Sequence, residues 1–134
     1  MAYLIDTNIV IDHLAELPDA SALIERLSPA GIAVSIISYM EAYQGVLRSP
    51  DRERAEADFE AFLLTTPLLP FSPAVARHCA ELREQLRQHG KRVRARALDL
   101  IIASTALEHN LTLVTRNIDD YDDIPALRLY EETA

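Results

Sequence analysis

Tyr3-Leu4-Ile5-Asp6-Thr7-Asn8-Ile9-Val10 decides the fold. Three apolar residues ending on an acid read as a short buried strand, and Thr7 supplies a cap for a helix directly after it. That helix carries Ile9, Val10, His13 and Leu14 on one side, and Leu17 closes it before Pro18. A strand running straight into a helix, with an acid at the junction, is the opening of an α/β unit.

Downstream the pattern repeats. Asp19 to Leu27 is amphipathic through Ala20, Leu23, Ile24 and Leu27, Gly31 punctuates, and Ile32-Ala33-Val34-Ser35 reads as a second strand. Ser38 opens a further helix, and 52–64 is helical with Ala55, Phe59, Phe62 and Leu63 on one side. Leu68-Leu69-Pro70-Phe71 is a third strand, whose proline places it at an edge or marks its end. Ser72-Pro73 starts a long helix ending near His89-Gly90. After a basic stretch, a helix spans 95–108, and Leu111 to Thr115 and Leu127 to Tyr130 are the fourth and fifth strands. The expected architecture is a three-layer α/β/α sandwich around a mainly parallel sheet of four or five strands, formed as one domain over 1–134. In such sheets ligands sit beyond the carboxyl ends of the strands, which singles out Asp6, residues 35–41 and residues 115–120.

Composition narrows the function. The chain has 134 residues, 49% of them hydrophobic, enough to fill one core. Its 13 Lys and Arg against 21 Asp and Glu leave a net charge of -8. That balance disfavours a protein that coats nucleic acid with a basic surface, though not a nuclease whose site brings its own cations. A single cysteine, Cys79, excludes an internal disulfide and a cysteine-based zinc cluster. No apolar run reaches the ~18 residues of a membrane span, and the first residues read as a strand rather than a leader, so a cytoplasmic location is expected.

Local context only partly accounts for three single acids and one acidic loop. Asp6 could cap the first helix. Ser38-Tyr39-Met40-Glu41 fits an S-x-x-E capping box. Asp99 interrupts the apolar run Ala97-Leu98-Asp99-Leu100-Ile101-Ile102-Ala103, where a carboxylate needs a cation, a hydrogen bond or a proton; Arg94 or Arg96 could pair with it. Asp119, Asp120, Asp122 and Asp123 crowd one loop, and Asn117 could cap or orient a neighbouring acid there. Gathered at one sheet end, such carboxylates repel one another, and a hard dication relieves the repulsion. Oxygen donors without Cys or His select magnesium, with manganese as substitute, and so point to phosphate-ester chemistry.

Leu4-Ile5-Asp6-Thr7-Asn8, Ser38-x-x-Glu41-x-x-x-Gly45, Ala97-x-Asp99-x-x-Ile102-Ala103 and Leu113-Val114-Thr115-Arg116-Asn117-x-x-Asp120-Tyr121 follow one another in the order found in PIN-domain proteins. In length and organisation the chain resembles the VapC-type toxins of toxin–antitoxin pairs. The resemblance implies a magnesium-dependent endoribonuclease neutralised by a small cognate antitoxin protein. It makes Asp6 and Asp99 the metal-holding acids and Glu41 the third. Asp120 matches the fourth, Asp119 being its neighbour, before Tyr121 where the family commonly has phenylalanine. Thr7, Ser38 and Asn117 fall on supporting positions.

The stretch Lys91-Arg92-Val93-Arg94-Ala95-Arg96 is unusually basic for that family's lead-in to the third motif. Between residues 77 and 96 seven cations face only Glu81 and Glu84, a local charge suited to RNA phosphates or to an acidic partner segment. The apolar side of the early helices could also support a homodimer. Two other readings compete. A haloacid-dehalogenase-type phosphatase also places an Asp after its first strand, but it wants an acid where Asn8 stands, and Lys91 is the only lysine. A non-catalytic receiver-like module wants an acceptor Asp after the third strand, where this chain has Leu68-Leu69-Pro70-Phe71-Ser72.

Overall fold

The computed structural model describes residues 1–131, so the last three positions of the expected 1–134 unit lie outside the described residues. Strand β1 (Tyr3–Ile5) runs into α1 (Thr7–Leu14) and α2 (Pro18–Leu27). Then come β2 (Ile32–Ser35), α3 (Ile36–Arg48), α4 (Arg52–Leu64), β3 (Leu68–Leu69), α5 (Pro73–Gln88), α6 (Ala97–Glu108) and β4 (Thr112–Val114). The sheet order is β3-β2-β1-β4, with every pairing parallel.

Alternation along these short strands builds the three layers. Leu4, Ala33 and Leu113 face Cys79, Leu82, Leu86, Leu100 and Ala103 of α5 and α6. Ile5, Val34 and Val114 face Ile9, Val10, Ile24, Val46 and Phe59 of α1 to α4. Each face is covered, so strand residues are apolar in succession instead of alternating with polar ones. Gly31 keeps the turn into β2 tight: at φ +94° a Cβ would lie 2.8 Å from Met1 Cα.

The chain leaves β1 toward β2 and β3 and then returns to β1's other side as β4. The order therefore reverses between β1 and β4, which makes a crevice beyond their carboxyl ends. Asp6 and Thr115 are the first residues past those two ends, and the Asp6 N–H donates to the Val114 carbonyl at 2.9 Å.

Four expectations need correction. The fifth strand shrinks to one parallel bridge, Leu113 with Leu129, because the segment touches β4 only around Leu113, after a turn in which Ala126 sits at φ +65°. The first helix stops at Leu14, and Leu17 is the cap of the proline-led α2. Asp6, not Thr7, caps α1, and Ser35, not Ser38, caps α3 by accepting the Ser38 N–H at 3.1 Å. The helix thus begins two residues before the expected capping box, which dissolves the box and frees Ser38 and Glu41 for other contacts.

Candidate active site

Asp6 is 5% exposed and accepts three hydrogen bonds. The Thr7 N–H donates to Oδ1 at 2.8 Å and the Thr115 hydroxyl to Oδ2 at 2.7 Å. The third comes from Tyr121, whose hydroxyl stands 3.4 Å from Asp6 Oδ1 and 3.2 Å from Asp99 Oδ1. One phenol therefore touches both carboxylates that the first and third motifs supply. Tyr121 is itself 1% exposed, its ring packed in the α5–α6 side of the core. Asp99 lies half-buried in the first turn of α6.

Burial raises the pKa of Asp6 above the ordinary carboxylate value, and the Glu41 charge adds to the rise, against the opposing pull of its hydrogen bonds from Thr115, Thr7 and Tyr121. Asp99 is raised as well, first by burial and then by the charges of Asp6 and Asp120, with the Tyr121 hydrogen bond and Arg96 opposing. Tyr121 is pushed far above the normal phenol range by burial and by the two acids, so it stays protonated and donates.

Glu41 enters through a chain of hydroxyls. The Thr7 hydroxyl donates to Glu41 Oε1 at 2.7 Å, and so must accept at 2.8 Å from Ser38. Ser38 accepts in turn from the Ser35 hydroxyl at 3.4 Å. Each hydroxyl has one proton, so the donor direction is fixed from Ser35 to the carboxylate, an arrangement in which each bond polarises the next. Thr7 and Ser38, both buried, join the site through this relay.

Asp120 lies exposed in the 3-10 turn Ile118–Asp120, near enough for its charge to act on Asp99. Asp119 is exposed on the same turn. The Asn117 side chain caps nothing; its backbone N–H donates to Thr115 Oγ1 at 3.0 Å, so this residue buttresses the Asp6 ligand from its main chain.

Arg96 does not pair with Asp99. Its guanidinium is bidentate to Asp123, at 2.9 and 2.7 Å, and also donates to the Asp120 carbonyl at 2.7 Å. This clamp ties the lead-in of α6 to the loop carrying Asp120 and Tyr121. Lys91, Arg92 and Arg94 stay exposed, and Arg94 lines a shallow depression with Glu41 and Asp99. Arg116 is held by Asp12 of α1.

Two participants were not singled out as site residues from sequence: Thr115 and the Tyr121 hydroxyl. Both lie inside the quoted fourth motif, but their partner Asp6 is 109 and 115 positions away. Among the described residues no histidine or cysteine joins the network, and no three such ligands or acids form a closed metal cage. Magnesium suits this donor set, since it takes one or two carboxylates and keeps several waters.

Paired acids at the switch point of a parallel sheet suit a phosphate-handling enzyme. A PIN domain model matches residues 3–127, and the chain belongs to the PIN-domain family. Its relatives place it among the VapC-type members. Ribonuclease VapC2 of Rickettsia felis is 35% identical over 131 residues, 96% of either chain. The tRNA(fMet)-specific endonuclease VapC of Shigella flexneri is 27% identical over 128 residues, again 96% of either chain. The crystal structure of VapBC2 from Rickettsia felis bound to a promoter DNA fragment superposes with a TM-score of 0.86 at 33% identity, covering 99% of this chain and 100% of that one.

Proposed function

We propose that the chain is a magnesium-dependent endoribonuclease, the toxin of a type II toxin–antitoxin pair, acting in the cytoplasm on RNA phosphodiester bonds. The observation that carries this reading is the meeting of Asp6 and Asp99 on the Tyr121 hydroxyl. Both acids are pushed toward their protonated forms without a cation, the electrostatic condition that a hard dication relieves. Asp6 and Asp99 would hold magnesium, or manganese in its place, and the ion would supply Lewis-acid activation of water and charge neutralisation on a phosphodiester.

The remaining side chains divide the work. Glu41, its Oε1 satisfied by Thr7, keeps a free oxygen to orient a water or accept its proton. Asp120 completes the acidic rim. Arg94, which lines a depression with Glu41 and Asp99, offers a phosphate contact there, and the exposed Lys91 and Arg92 extend that basic stretch. The VapC relatives' names support RNA as substrate, and the superposed VapBC2 complex supports an antitoxin partner. The exposed Ile11 and Leu47 on α1 and α3 leave apolar surface for a protein contact, including a second copy of the chain.

A parallel assay on RNA and on a chromogenic phosphomonoester tests the reading. Cleavage of RNA by the wild type, absent in Asp6→Asn and with no turnover of the monoester, is the expected result; turnover of the monoester alone would favour the phosphatase.

A further inference from the structure

We infer that Tyr121 is a positioning residue that sets the site's affinity for a divalent cation, an inference that rests on the proposed metal-dependent reading. Two like-charged carboxylates from different elements, Asp6 after β1 and Asp99 in α6, have Oδ1 atoms that converge on one hydroxyl at 3.4 and 3.2 Å. Charge repulsion would drive these groups apart, and apart from Tyr121 no donor among the hydrogen bonds described reaches Asp99. The phenol reaches them from within the core: Tyr121 is 1% exposed while Asp99 is only partly buried. Asp99 Oδ2, which accepts none of the described hydrogen bonds, is thereby left for a cation and its waters. Asp6 is held further by Thr7 and Thr115, so the hydroxyl matters most for Asp99. Arg96 fixes the loop that carries the phenol through Asp123 and the Asp120 carbonyl.

Partners that orient a metal ligand typically alter metal affinity by roughly 10- to 100-fold when removed. Tyr121→Phe keeps the ring in the core and deletes only the donor. The test is Mn²⁺ binding to purified wild type, Tyr121→Phe and Asp99→Asn by calorimetry, with RNA cleavage followed over a Mn²⁺ series. The variant is expected to bind Mn²⁺ about tenfold or more weakly, and its cleavage rate to climb back toward wild type at high Mn²⁺. A merely structural tyrosine would lower the melting temperature without moving the metal midpoint. Unchanged or tighter Mn²⁺ binding by Tyr121→Phe, with wild type binding normally and Asp99→Asn not, overturns this inference alone. Absence of Mn²⁺ binding by the wild type overturns the metal-dependent reading and this inference with it.

Discussion

The Thr115 hydroxyl donates to Asp6 Oδ2 at 2.7 Å, joining the residues that follow β4 and β1 across the sheet's switch point. The bond does two things: it satisfies an almost fully buried carboxylate, and it fixes the orientation of the Asp6 side chain. Thr115→Val preserves shape and removes the donor. It should cost about 1–3 kcal/mol of stability, the range for stranding a buried polar group, and it should weaken RNA cleavage as well. Urea unfolding of the purified variant, beside a cleavage assay, measures both.

Asp6→Asn and Asp99→Asn should each lower cleavage by roughly 100-fold or more, since loss of a direct ligand exceeds the effect of losing its supporters. Neither should unfold the protein. Because Asp99 accepts a single hydrogen bond and sits against like charges, metal-free Asp99→Asn should melt above metal-free wild type in differential scanning calorimetry.

The same charges set the pH response. Asp6 and Asp99 have raised pKa values in the folded state, so their ionisation costs stability. Stability is therefore regained as pH falls through the raised values and is complete below the unfolded value of 3.8. Asp123, lowered chiefly by the Arg96 hydrogen bond, acts oppositely, but its contribution is lost only below 3.8. Metal-free wild type should thus gain on Asp99→Asn in melting temperature as the buffer is taken from neutrality toward pH 4, and saturating magnesium at neutral pH should narrow the same gap.

Arg96→Ala should detach the loop carrying Tyr121 and Asp120, with a cost of about 1–3 kcal/mol for hydrogen bonds to a charged, mostly buried partner. Arg96→Lys should not restore it, because a single ammonium cannot reproduce the bidentate fork. Amide exchange over residues 118–123 reports the detachment directly.

Replacing Arg92 and Arg94 with Ala should raise KM for RNA while leaving kcat nearly unchanged. It should also flatten the dependence of KM on salt, by about one phosphate contact per cation removed. A lowered kcat at saturating RNA would instead place these residues at the reacting atoms.

Much of the fold was legible in local sequence. Tyr3-Leu4-Ile5-Asp6 announced a buried strand with an acid at its mouth, and Ser72-Pro73 marked the start of α5, where Ser72 accepts the Val75 N–H. Asp99 stood out because an apolar run offers a carboxylate nothing. Helix starts with two serines in reach were ambiguous: Ser35 and Ser38 can both cap, and the choice depends on where β2 stops. Leu127 to Tyr130 has strand composition, yet strand formation needs a neighbour to pair along, and among the described residues its pairing is a single bridge to Leu113. The hydroxyl partners of Asp6 were hidden for a further reason: a Thr or Tyr donor has no local signature when its acceptor is over a hundred residues away.

Cleavage of RNA by protein stripped with EDTA and then titrated with magnesium tests the account at its centre. A saturable return of activity from a silent metal-free enzyme, with no return in Asp99→Asn, is the predicted result. Undiminished cleavage in EDTA, or an Asp99→Asn protein that responds to magnesium as wild type does, would contradict it.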